Sequence, residues 1–259
     1  MKVQVLVAAM GQTDHQLLER MNISSDVIVG NQCGHDSIER FAHRGNRAMY
    51  LNFAERGVGL NRNNALMRAD GDICLFADDD MVYRDDYVAV VTEAFRQHPD
   101  ADVLIFNLDE PVPTRYVIPR VMRVHYLNYL RYGTARVAVR LKSVRSQGIY
   151  FNQCFGGGAE HCHGEDNLFL TDCLKRGLKI YAVPATIARL TEERPSSWNT
   201  GYDEGYLRDQ GVLYRTISRR WWRLLCLQDA LRRRGSYRAA GSWLDAYRIM
   251  CGREKGVEQ

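Results

Sequence analysis

The sequence predicts an α/β fold with a mainly parallel sheet flanked by helices, followed by a helical C-terminal extension. Three observations carry that expectation. Short β-rich runs alternate with helical patterns through the first half of the chain. An apolar run, Ile73 to Ala77, ends abruptly in Asp78, Asp79 and Asp80, at a strand end where open α/β sheets bind ligands. Beyond "EERPSSWNTGY" the pattern is helical to the end.

The strands are expected at "KVQVLVA" (2–8), "DVIVG" (26–30), "AMYLN" (48–52), "DICLFA" (72–77) and "DVLIFN" (102–107). Between them, 14–21, 60–68 and 85–97 read as helices, the last with Tyr87, Val88, Val91, Ala94 and Phe95 along one face. Residues 111–150 mix both periods and give one strand, 135–141. A glycine-rich turn "CFGGGAEHCHGED" then opens a helix over 166–176, closed by Gly177, and the strand "LKIYAVP" is expected to end at Pro184.

With 259 residues, 46% hydrophobic and 25% charged, the composition is that of a globular chain able to bury a sizeable core. No run of 18 apolar residues occurs and the N-terminus has no cleavage region, which predicts an unexported protein in the cytoplasm. The 7 cysteines are scattered and mostly flanked by apolar residues, which suits buried thiols in a reducing compartment. The overall charge of +4 is uneven: the basic excess lies beyond residue 200, and Arg215 to Arg238 contains eight arginines against the single acid Asp229. In that stretch Ile217, Trp221, Leu224, Leu225 and Leu231 fall near one helical face. Two readings stay open: peripheral contact with an anionic membrane, or packing on the preceding domain with the basic side in water. No nucleic-acid-binding module accompanies the charge.

Three adjacent carboxylates repel one another unless a cation or water compensates them. On an extended chain residues two apart share a side, so Asp78 and Asp80 would face one ion. Hard oxygen ligands in that number suit Mn²⁺ or Mg²⁺ shared with substrate phosphates. On the triplet alone, a solvated turn ahead of the helix near Asp85 is the other reading. Cys154, His161, Cys162 and His163 include soft ligands, but the spacing fits no ordinary zinc pattern, and 161–163 could hardly all reach one ion.

The ordered string "ERGVGLNRNNALMRADGDICLFADDD" resembles the nucleotide-sugar site of glycosyltransferase family 2, which has the Rossmann-like GT-A fold. The matching parts are Gly57 and Gly59, Arg62 with Asn63, the link 69–72, the strand, and Asp78-x-Asp80 as the DxD motif. "GGGAEHCHGEDNLFLTDCLKRGLKIYAVP" resembles that family's glycine-rich turn, Glu-Asp pair and following strand. The resemblance implies a metal-dependent inverting transferase. Asp166 is then the general base, Glu165 and His163 lie on the acceptor side, Asp78 and Asp80 hold Mn²⁺ or Mg²⁺, and Arg62, Asn63, Asp78 and Asp79 seat the donor. It also implies a nucleotide-sugar half at about 1–108, an acceptor half at about 109–200, and 201–259 as an extension. The donor favoured is a UDP-sugar, and the acceptor a glycan or polyprenyl-linked glycan of cell-surface polysaccharide synthesis. Peripheral contact would then be with the inner face of the plasma membrane. Two places depart from the family. The second strand runs into Asn31-Gln32-Cys33-Gly34, so Asn31 stands where an acid would meet the base, and the first strand leaves through "AAMGQTD". A sugar nucleotidyltransferase and a non-catalytic nucleotide- or partner-binding module are the alternatives; the former would bring a basic, glycine-rich N-terminal loop, and "AAMGQTD" is poor in both.

Overall fold

The first apolar run forms β1 (Val3–Met10), and the second forms β2 (Asp26–Gln32), buried along its whole length. Strands buried on both faces belong at the centre of a covered parallel sheet. β1 pairs in parallel with β2 on one side and with β5 (Ile73–Asp78) on the other, and β4 (Asn46–Phe53) adds in parallel outside β2. On the far side of β5, β9 (Val137–Arg140) runs antiparallel between it and β7 (Val103–Asp109), which pairs in parallel with β10 (Ile180–Leu190). Thus β4, β2, β1, β5, β7 and β10 all point the same way. The opposed strands are β9, β3 (Ser37–His43) beside β4, and the three-residue β6 (Met81–Tyr83) and β8 (Met122–Val124), both beside β10. The structure, a computed structural model, describes residues 1–110, 115–191, 201–238 and 241–252; the expected junction at residue 200 lies outside them.

The sheet's side-chain alternation builds a core on each face. Val5, Val7, Leu75 and Ala77 point to one, with Tyr87, Val91 and Phe95 of α3 (Tyr87–Gln97) and both buried leucines of α1 (Leu17–Arg20). Leu6, Ile28, Cys74 and Phe76 point to the other, with Leu66 of α2 (Val58–Arg68) and Phe169 and Cys173 of α5 (Glu165–Lys175). α4 (Leu141–Ser146) adds Leu141 and Val144 to the second face. A third core lies among α6 (Glu204–Ile217), α7 (Trp222–Arg232) and α8 (Trp243–Met250), and it takes in Phe155 and Leu168 of the preceding segment. The extension therefore packs on the turn that leads into α5.

Several sequence expectations are corrected. β3 was not foreseen; it is an edge strand, largely exposed, so its residues carry no strong hydrophobic alternation. Arg44 and Gly45, at φ 48° and 78°, turn it into β4 as a two-residue hairpin of the primed type. The helix expected at 14–21 shortens to α1, and the strand expected at 135–141 begins with a 3₁₀ turn at Thr134–Arg136. β10 does not stop at Pro184. It bulges there, taking four steps from Ala182 to Thr186 against two on β7, and resumes through Leu190, opposite Met81. The bulge leaves Pro184 exposed, where its missing N–H costs no ladder bond.

The basic tail is not one continuous amphipathic face. The helix breaks at 218–221, so Ile217 is buried at the end of α6, while α7 buries Cys226, Asp229 and Ala230. Trp221, Leu224 and Leu231 stay outside at 55%, 57% and 46% exposure. Packing and an exposed aromatic-basic side thus coexist on α7.

Candidate functional site

Because β1, β2 and β5 are parallel, their C-terminal ends come together, and Ala8 faces Asp78 in the register. The acidic turn leaves the sheet at that edge. Its backbone is held from a distance: Asp80 O accepts from Thr191 N at 2.9 Å and from Thr191 Oγ1 at 3.0 Å, just past the end of β10. Asp79 Oδ2 accepts from Gln12 Nε2 at 3.3 Å. Burial, followed by the charges of Asp78 and Asp79, holds the Asp80 carboxyl above its ordinary range.

Arg62 brings positive charge to Asp78. Its guanidinium, 4% exposed, gives Nη2 to Asp78 Oδ1 at 2.7 Å and Nη1 to both Glu165 Oε1 and Asp166 Oδ1 at 3.1 Å. One side chain on α2 thus ties the strand-end acid to an acid pair about a hundred residues later. Burial alone would lower the Arg62 pKa, but Asp78, Asp166 and Glu165 together hold it above its ordinary value. Arg62 also lies over the Phe151 ring, 5.4 Å from its centroid.

The neighbouring asparagines serve this geometry from inside. Asn63, expected to bind donor, is 3% exposed and clamps Phe151, donating to its O at 2.9 Å and accepting from its N at 2.8 Å. Gly59 permits the approach, since a Cβ there would sit 2.7 Å from Asn152 O. Asn31, expected to meet a base, is 1% exposed. Its amide is spent on Gln12 N and O, each at 2.9 Å, and on Asn52 Oδ1 at 2.7 Å. Both asparagines therefore shape the walls of the site rather than present free amides to a ligand. Neither role was readable in the sequence, because each partner is a backbone or side chain far along the chain.

Glu165 and Asp166 open α5, where carboxylates complement the helix N-terminus. Their environments differ. Glu165 is the more enclosed, its side chain 12% exposed; desolvation and the charge of Asp166 push its pKa up to about 7 against the pull of Arg62. Asp166, 29% exposed, lines an open cleft of about 340 Å³ together with Glu165, Arg131, Tyr132, Gly133 and His163. Its hydrogen bonds, from Arg62 and from Thr134 Oγ1, both fall on Oδ1, while Oδ2 lies toward Gly133. Thr134 is a site residue that sequence reading missed; it follows Gly133 in the stretch of mixed periodicity. His163 lines the same cleft, stacked on Tyr206 at 4.3 Å with Nε2 2.7 Å from Gln210 Oε1.

The Glu165 shift has a measurable sign. An acid whose folded pKa exceeds its unfolded value of 4.5 binds more protons in the folded state, so its contribution to stability falls as pH rises from about 4.5 through about 7. Glu165→Gln is expected to flatten that loss. Urea-unfolding midpoints at the two ends of the window check it, and an unchanged slope would contradict the assignment.

Residues 25–150 match the family described as Glycosyl transferase family 2. No curated protein matches the chain. Among solved structures, TarS 1-349 of S. aureus in complex with UDP-GlcNAc is similar with a TM-score of 0.64 and 14% identity, over 98% of this chain and 93% of that one. TarS 1-349 in complex with UDP gives 0.64 and 16%, over 93% and 74%. At such identities the likeness is one of fold. Over residues 25–150 the chain is thus similar to glycosyltransferase family 2, and as a whole it shares the fold of those structures.

Proposed function

We propose that the protein transfers a sugar, with inversion, from a nucleoside diphosphate donor to a hydroxyl of a glycan or polyprenyl-linked glycan. The observation that carries this reading is the single guanidinium of Arg62, which binds Asp78 at the strand end and Asp166 at the cleft. Donor-side and acceptor-side acids are thereby held in one rigid array.

In the reaction, the acceptor oxygen attacks the anomeric carbon while its proton passes to Asp166 Oδ2. The bond from that carbon to the diphosphate oxygen breaks, and its electron pair leaves with the nucleoside diphosphate. Arg62 and Thr134 hold Oδ1 and leave Oδ2, beside Gly133 of the cleft lining, for the proton. The raised pKa of Glu165 lessens the negative charge beside the base. Asp78 and Asp80 fit a divalent cation by their oxygen donors and by the raised Asp80 pKa. Mn²⁺ or Mg²⁺ held there would offset charge developing on the leaving diphosphate. The relatives' complexes with UDP-GlcNAc and UDP support a UDP-sugar over other donors.

Isothermal titration with UDP- and GDP-sugars, with and without Mn²⁺, tests the donor side. Expected are binding strengthened by Mn²⁺ and loss of that enhancement in Asp80→Asn. Metal-independent binding, equal in the variant, would remove Asp80 from the cation site.

We also propose that α7 rests on an anionic membrane surface, which suits a polyprenyl-linked acceptor. Among the described residues no helix is long and apolar enough to cross a membrane. Trp221 and Leu224 project outward, and Arg220 lies 5.0 Å from the Trp221 ring centroid. Sedimentation with phosphatidylglycerol vesicles should exceed that with phosphatidylcholine and fall in Trp221→Ala/Leu224→Ala. Equal sedimentation would assign the exposed side to water.

A further inference from the structure

The turn ahead of α5 ends in His161, Cys162 and His163, and α6 lays Asp209 and Gln210 against it. Cys162 Sγ lies 3.1 Å from His163 Nδ1, and one ligand atom from each of Cys162, His163 and Asp209 falls within 4.8 Å of the others. Among the described residues no other group of three or more Cys, His, Asp or Glu side chains gathers this tightly. Sequence spacing argued against three consecutive ligands at 161–163, and the structure removes that obstacle. His161 turns away, its ring 4.7 Å from Phe155 and its Nδ1 2.9 Å from Asp209 Oδ1. The third ligand comes from α6, 47 residues beyond Cys162.

The surroundings are those of a ligand set. His163 Nε2 faces the Gln210 carbonyl oxygen at 2.7 Å, which fixes the proton on Nε2 and leaves the Nδ1 lone pair aimed at the Cys162 sulfur. Gln210 is itself buried. Metal–ligand lengths of about 2.0–2.3 Å place tetrahedral ligand atoms roughly 3.3–3.8 Å apart, a spacing that small side-chain rotations reach from here. The mixture of sulfur, imidazole and carboxylate suits Zn²⁺ over the hard cations of the acidic turn.

We propose that Cys162, His163 and Asp209 form a zinc site on the wall of the acceptor cleft, separate from the acidic turn. Binding releases the Cys162 thiol proton to solvent and leaves one coordination position for water or an acceptor oxygen. The ion joins the turn before α5 to α6 and so steadies the helix end that carries Glu165 and Asp166. Because it is a statement about binding, it stands or falls apart from the transferase reading.

The full chain, stripped with chelator and titrated with Co²⁺, tests it. One equivalent should give a thiolate-to-cobalt charge-transfer absorption that Zn²⁺ abolishes. Cys162→Ser should lose the band, while Cys154→Ser, at an exposed cysteine, should keep it. Gln210→Leu should weaken Zn²⁺ affinity about 10- to 100-fold, the loss expected when a ligand's orienting partner is removed. Circular dichroism confirms that each variant is folded. Absence of the band in the wild-type chain, or its persistence in folded Cys162→Ser, would overturn the site.

Discussion

Asp166→Asn is expected to lower the turnover number by about 10²- to 10⁴-fold, the usual contribution of a positioned general base, and to leave donor affinity nearly unchanged. The amide keeps the shape of the side chain and can still accept from Arg62 and Thr134 through one oxygen. What it loses is the basic Oδ2 atom on the cleft side. Nucleoside diphosphate release and titration with the same donor, on the same preparation, separate the two quantities. A variant with full turnover would show that the proton leaves by another route. A variant that loses donor affinity as much as turnover would move Asp166 from the acceptor side to the donor side.

Arg62→Leu should be the most destabilising single change in the site. Three carboxylates share this guanidinium, and removing one member of a buried ionic set leaves its partners uncompensated, which costs roughly 3–5 kcal/mol. Asp78, 40% exposed, escapes some of that cost; Glu165, at 12%, escapes less. Protonation relieves Glu165, so the loss should be smaller at pH 5 than at pH 7.5, as read from urea unfolding. Arg62→Lys should recover little, since an ammonium has no fork to reach Asp78 and the Glu165–Asp166 pair together. A loss below about 1 kcal/mol at pH 7.5 would mean the array relaxes around the vacancy.

The sequence made the chemistry legible where residues act through local order. The apolar run into Asp78, the Arg62-bearing helix and the acids at the start of α5 each announce themselves within about a dozen residues. The span of Arg62 between them was not legible, because nothing in a sequence states which way a buried guanidinium reaches. Asn31 and Asn63 read as polar groups awaiting a ligand, yet their hydrogen bonds are satisfied by Gln12, Asn52 and Phe151. Thr134 was hidden for a different reason: the 3₁₀ turn that presents it follows neither the strand nor the helix period. The basic tail misled through an assumed continuity, since a break at 218–221 resets the helical phase between Ile217 and Trp221.

The bulge in β10 gives the segment around Pro184 an unusual sensitivity to insertions and deletions. Ile180 is fixed opposite Val103 and Leu190 opposite Met81, so the residues between them set how far the chain reaches before Thr191 meets the acidic turn. Deleting one residue from 183–186 would either pull Thr191 off Asp80 or turn buried Ile187 and Ala188 to the opposite face, because a one-residue slip in a strand inverts its sides. Substitutions at exposed Pro184 change neither. Chain length, more than residue identity, is what this stretch has to preserve, and the feature that depends on it was completed more than a hundred residues earlier.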